Sequence, residues 1–202
     1  MRIPSELSRR ERVTLYPGGY AVASRENKVL YTVLGSCISA CLYDPVSRVA
    51  GMNHFLLSHE RYSRTMPFTE AEAGRYGVHS MELLINAMIK QGASRNRFRA
   101  KAFGGASMLS QGTDRDGNFA CVGEVNVRFI KEFLQLEGIP LIASDLGGDQ
   151  GRSVFFSVAD FSVHIGKIRK LTRINTDEKN YWRREIQRQK EALPDSGVEL
   201  WN

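Results

Sequence analysis

Two apolar runs, residues 38–43 and 49–57, flank the segment Asp44-Pro45-Val46-Ser47-Arg48, and this pattern constrains the fold more than any other stretch. Asp44 can cap a turn and Pro45 fixes one φ, so the runs are expected to form two strands of a hairpin. Register then decides the faces, because a one-residue slip turns every side chain over. With the loop centred between Val46 and Ser47, position 37 falls opposite position 56. Cys37, closing Leu34-Gly35-Ser36-Cys37, then shares a face with His54, roughly 5–8 Å away across the ladder.

That pairing is what nucleophilic thiol chemistry needs. The thiolate attacks, and a nearby imidazole can both generate it and later protonate a leaving amine. The same residues also suit a plainer arrangement, a Cys packing as a small hydrophobe beside a hydrogen-bonded core His. Acyl chemistry further calls for backbone N–H donors aimed at a developing oxyanion. The Gly35-Ser36-Cys37 turn is the first candidate because it adjoins the thiol. Gly104-Gly105 is a second candidate for lining the same cleft.

At these residues the chain resembles a known family. Thr32-Val33-Leu34-Gly35-Ser36-Cys37 through Leu42-Tyr43-Asp44-Pro45 is similar to the signature of CheD, the bacterial chemoreceptor glutamine deamidases. The likeness continues through Gly51-Met52-Asn53-His54-Phe55-Leu56-Leu57 and Lys101-Ala102-Phe103-Gly104-Gly105-Ala106-Ser107-Met108. It ends with Asp145-Leu146-Gly147-Gly148 and Gly151-Arg152, and so covers roughly residues 16–170 in the family's order. The resemblance implies a Cys-His-Thr constellation of Cys37, His54 and Thr32, with Thr32 holding the imidazole. It also implies conversion of receptor glutamines to glutamates through a thioester, without cofactor. Methyl-accepting chemotaxis receptors are the implied partners and, in some organisms, a CheC-type phosphatase.

Composition agrees with a compact cytoplasmic enzyme, and a monomer is expected. At 202 residues, 42% hydrophobic and 25% charged, the chain is long enough to bury a core and has no mark of disorder. Residues 1–12 carry charge without an apolar core, so no signal peptide is expected. No run approaches the roughly 18 apolar residues of a membrane span. Three cysteines suit free thiols in a reducing compartment. Cys41 and Cys121 are expected to be packing residues.

His54, His59, His79 and His164 are scattered with no zinc-type spacing, so no metal site is expected. His59 is expected in a loop, and His164 as an outward or satisfied strand residue. The Gly147-Gly148-Asp149-Gln150-Gly151 cluster matches no phosphate-loop pattern and suits a tight turn at a strand end.

The expected fold is α+β, a single domain built as a layered sandwich of mixed sheets with helices packed on the outside. Short strands are expected at 21–24 and 28–32, then a long surface loop over 58–77, a natural rim to the site. Met81, Leu84, Ile85 and Met88 form a helical stripe within 79–91, stopped by Gly92. A second helix is expected over 125–136 with Gly138 as its cap. Further strands are expected at 98–103, 141–145, 153–158 and 161–168.

Three regions follow: an N-terminal extension (1–15), the deamidase-like domain (16–170) and a basic C-terminal extension (171–202). Residues 167–190 hold nine Lys and Arg against three Asp and Glu, an excess equal to the formal charge of +6 of the whole chain. Such a segment suits a solvated helix, or one that seeks an acidic partner. Two other functions fit less of the sequence. A non-catalytic adaptor for receptors or a CheC-type phosphatase leaves Cys37 and His54 without a task. A nucleic-acid binder lacks a recognition signature in the domain, and no nucleic-acid partner is expected.

Overall fold

The hairpin organises the molecule. In the computed structural model, which describes residues 7–24, 27–57, 72–107 and 118–168, Ile38–Asp44 and Val49–Asn53 form antiparallel strands β4 and β5. Cys41 lies opposite Met52 and Asp44 opposite Val49, so the loop is centred between Val46 and Ser47. Asp44 closes the turn by accepting the Val46 N–H at 2.9 Å. It also pairs with Arg97 at 2.7 Å while itself fully buried. Burial opposes ionisation of Asp44, but Arg97 and the Ser94 and Val46 amides outweigh it and hold the carboxyl well below the usual range.

Two sheets are stacked. Tyr20–Ser24 (β2), Arg99–Gly104 (β6) and Leu141–Leu146 (β7) join the hairpin in a five-stranded sheet of order β2-β5-β4-β6-β7. Glu11–Thr14 (β1), Lys28–Leu34 (β3), Gly151–Ser157 (β8) and Val163–Ile168 (β9) form a four-stranded sheet of order β1-β3-β8-β9. Both are mixed, since β1 runs parallel to β3 and β7 parallel to β6. Helices α1 (Glu72–Lys90) and α2 (Asn118–Leu136) pack on the outer face of the larger sheet. The fold is thus the expected α+β sandwich.

Alternation along β4 separates two cores. Ile38, Ala40 and Leu42 face the helices and meet Met81, Leu84, Phe129 and Ile130. Cys37, Cys41 and Tyr43 face the other sheet and meet Leu30, Val154 and Phe156. Being covered on both sides, every residue of β4 is buried.

Three elements differ from the sequence expectation. Residues 11–14, placed in an N-terminal extension, form an edge strand, and Leu7 and Leu15 beside it are buried. The helix expected from residue 79 starts at Glu72, so the expected loop over 58–77 is helical in its last part; residues 58–71 lie outside the described residues. Gly77 reads as a loop residue but serves close packing, since a Cβ there would lie 2.5 Å from the Phe129 ring. The helix expected from residue 125 begins at Asn118. The strands expected at 21–24 and 28–32 are both present, as β2 and β3, and enter different sheets. His59, most of the basic segment and the Cys121 side chain lie outside the described residues.

Candidate active site

Cys37 stands where the chain passes from one sheet to the other. β3 ends at Leu34 and β4 begins at Ile38, leaving Gly35, Ser36 and Cys37 as the crossover. Each of its three carbonyls is held. Ala106 N–H donates to Gly35 O and Gly105 N–H to Cys37 O, both at 2.8 Å. The Asn126 side-chain amide donates to Ser36 O at 2.8 Å. Gly104 has φ +110°, and a Cβ there would lie 2.1 Å from the Cys37 carbonyl oxygen. Only glycine permits that approach.

His54 follows the last residue of β5 and is clasped through its backbone. Its N–H donates to Gly19 O at 2.9 Å, and its carbonyl accepts from Gly18 N–H at 2.7 Å. Paired bonds of 2.9 Å between Ile38 and Phe55 extend the hairpin register past β5. Cys37 therefore falls opposite Leu56, with His54 diagonal to it on the face turned toward the smaller sheet.

Across the sandwich, Thr32 of β3 meets the imidazole, Oγ1 to Nδ1 at 2.8 Å. The Thr32 hydroxyl donates its proton to Leu15 O at 2.9 Å. With that proton spent, Nδ1 must be the donor to Thr32, which assigns the tautomer and leaves Nε2 as a bare acceptor. Nε2 is buried and has no hydrogen-bond partner among the described residues. Burial drives the His54 pKa down to about 3, against a smaller opposing pull from the Leu15 carbonyl. The resting imidazole is thus neutral, the form that can take a proton from a thiol.

Cys41 has a different environment. Burial pushes its thiol pKa up, outweighing its bond to Ser39 and the charge of Lys101. Cys37 is equally buried, so what separates the two thiols is the face that Cys37 shares with His54 and the raised pKa that keeps Cys41 neutral, as suits a packing group. His79 is exposed on α1, and His164 lies on β9. Among the described residues no group of three or more His, Cys, Asp or Glu side chains is arranged to hold a metal ion.

The residues singled out from the sequence thus gather in one place: Thr32 bonded to His54, with Gly35, Ser36 and Cys37 on the crossover beside them. Gly104 and Gly105 abut that crossover, but the Gly105 N–H is spent on the Cys37 carbonyl. Gly104, Gly105, Gly147 and Gly148 all have positive φ, as tight turns require. Sequence reasoning missed Leu15, whose backbone carbonyl orients Thr32, and Asn126, a polar residue on an otherwise apolar helix face. The one available signal was that a buried polar side chain must find partners.

Comparison with known proteins adds an independent line. A model of the family described as CheD chemotactic sensory transduction matches residues 56–167. A Geobacter sulfurreducens protein named probable chemoreceptor glutamine deamidase CheD 1 is 52% identical over 198 residues, 96% of each chain. One from Shewanella oneidensis, named probable chemoreceptor glutamine deamidase CheD 2, is 46% identical over 78% of this chain and 77% of its own. One from Rhizobium leguminosarum bv. trifolii, named probable chemoreceptor glutamine deamidase CheD, is 51% identical over 72% and 73%.

Proposed function

We propose that this chain, which belongs to the CheD family, is a protein-glutamine deamidase that converts glutamines of chemotaxis receptors to glutamates through a thioester on Cys37. The observation that carries the reading is the Thr32–His54 bond at 2.8 Å, which leaves a neutral imidazole with a bare Nε2 on the face shared with Cys37.

The steps follow from those roles. Neutral His54 takes the Cys37 proton, and the thiolate sulfur attacks the side-chain amide carbon of glutamine. The carbonyl π pair moves to oxygen, and the crossover carrying Cys37 supplies backbone amides beside that oxyanion. Collapse breaks the C–N bond, and the imidazolium gives its proton to the departing ammonia. Neutral His54 then deprotonates water, which attacks the thioester; the C–S bond breaks, and the sulfur recovers its proton. The glutamine side chain leaves as a carboxylic acid. Thr32 keeps the ring in the useful tautomer throughout, as the third member of other triads does. No metal or organic cofactor takes part.

The relatives' names supply the substrate class, chemoreceptors. The reading places the enzyme in the cytoplasm as a monomer beside its receptors, with a CheC-type phosphatase as a further partner. The test is intact-mass analysis of receptor-derived peptides incubated with wild type and with Cys37→Ala. Wild type should add the mass change of an amide becoming an acid, and Cys37→Ala should add none. Equal conversion by both would overturn the reading.

A further inference from the structure

Asn126 is fully buried on α2, yet its amide engages two separate segments of the site. Nδ2 donates to the carbonyl of Ser36, the residue before Cys37, at 2.8 Å. Oδ1 accepts the N–H of Leu57, three residues past His54, at 2.9 Å. One rigid planar group therefore spans the crossover that carries the thiol and the strand extension that carries the imidazole. Three residues earlier, on the same helix face, Gly123 lets α2 press against the neighbouring backbone. A Cβ there would lie 2.7 Å from both the Gly105 and Ala106 carbonyl oxygens. Those two residues donate to Cys37 O and Gly35 O. Helix α2 thus braces the crossover twice, through Asn126 directly and through Gly123 against its second support.

We propose that Asn126 is a positioning residue that sets the Cys37 crossover at its working distance from His54. The inference rests on the thiol-imidazole reading above. Asn126 is too deep to touch substrate as a reacting group. Its effect is geometric, and displacement of a reacting group by about 1 Å can cost on the order of 100-fold in rate.

Two variants separate positioning from simple packing. Asn126→Ala removes both bonds. Asn126→Asp keeps a donor and an acceptor only while protonated, since a carboxylate offers acceptors alone and repels the Ser36 carbonyl. Burial raises the pKa of such an acid. Near neutral pH, Asn126→Ala should slow Cys37 alkylation, and kcat on a glutamine peptide, by roughly tenfold or more, with KM little changed. The ratio of Cys37 alkylation in Asn126→Asp to that in Asn126→Ala should rise as pH falls from about 7 to 5. Should the Ala variant fail to fold, the Asp variant against wild type gives the same pH-dependent rescue. Wild-type labelling rates in both variants, or a ratio flat with pH, would overturn the proposal even if the melting temperature drops. A wild type inactive on every receptor peptide would sink the deamidase reading, and the labelling comparison would still decide Asn126.

Discussion

Thr32 and His54 meet at 2.8 Å across the gap between two different sheets. The site therefore exists only when the sandwich is closed, because neither sheet holds both residues. The Thr32 proton is committed to Leu15 O, a carbonyl beside edge strand β1. The tautomer of His54 is in this way tied to the pairing of a four-residue strand at the edge of the smaller sheet.

Replacing Thr32 should expose that dependence. Thr32→Val removes the acceptor for Nδ1–H and should lower peptide turnover on the order of 10-fold or more, while Thr32→Ser should retain most activity. The Leu15 carbonyl lies close enough to the ring to act on its pKa and should soften the loss. Steady-state kinetics of the two variants decides the matter. Equal activity in Val and Ser variants would remove Thr32 from the mechanism.

Burial of neutral His54 makes stability depend on pH. The folded ring stays neutral down to about pH 3, whereas the unfolded ring protonates near 6.5. Between those values the unfolded chain binds the extra proton, so stability falls as pH falls, by up to about 1.4 kcal/mol per unit. Urea unfolding of wild type and His54→Gln between about pH 6.5 and 4.5 should show a steeper decline for wild type. Parallel curves would mean that the folded ring titrates normally.

Gly104 and Gly147 offer a matched pair. Both have positive φ, but a Cβ at Gly104 strikes the Cys37 carbonyl, whereas one at Gly147 meets nothing within 4 Å among the described residues. Gly147→Ala should cost only the backbone strain, about 1–2 kcal/mol. Gly104→Ala should cost more, and should also reduce Cys37 alkylation because the crossover must shift. Similar melting temperatures and labelling in the two variants would contradict the close approach.

The two described cysteines should behave differently. Cys41, whose thiol pKa is raised by burial, should resist alkylation until the protein is denatured. Cys37, although buried as well, should label ahead of Cys41 in the folded protein because His54 can take its proton, and more slowly after His54→Ala. Peptide mapping of alkylated protein reads both sites. Labelling of Cys41 ahead of Cys37 would reverse their roles.

What was legible in the sequence was local. The hairpin register follows from Asp44 and Pro45 at the turn and from alternation on either side, so the shared face of Cys37 and His54 could be read directly. The Thr32–His54 contact joins residues 22 apart on different sheets, and only resemblance to relatives pointed to it. Strand β1, Glu11-Arg12-Val13-Thr14, is short, charged and exposed at an edge, so its pattern resembles a solvated tail. Gly77 and Gly123 look like helix breakers, yet they sit where helices must approach other backbone or rings. Asn126 bonds two segments far from it in sequence, a relationship that periodicity cannot reveal.

A covalent intermediate on Cys37 can be caught by intact-mass analysis of the enzyme, acid-quenched during turnover of a receptor glutamine peptide. The expected species is enzyme plus peptide minus ammonia, mapped to Cys37 and absent from Cys37→Ala. Peptide deamidated at the wild-type rate by Cys37→Ala, or an adduct mapped to another residue, would rule out Cys37 as the nucleophile.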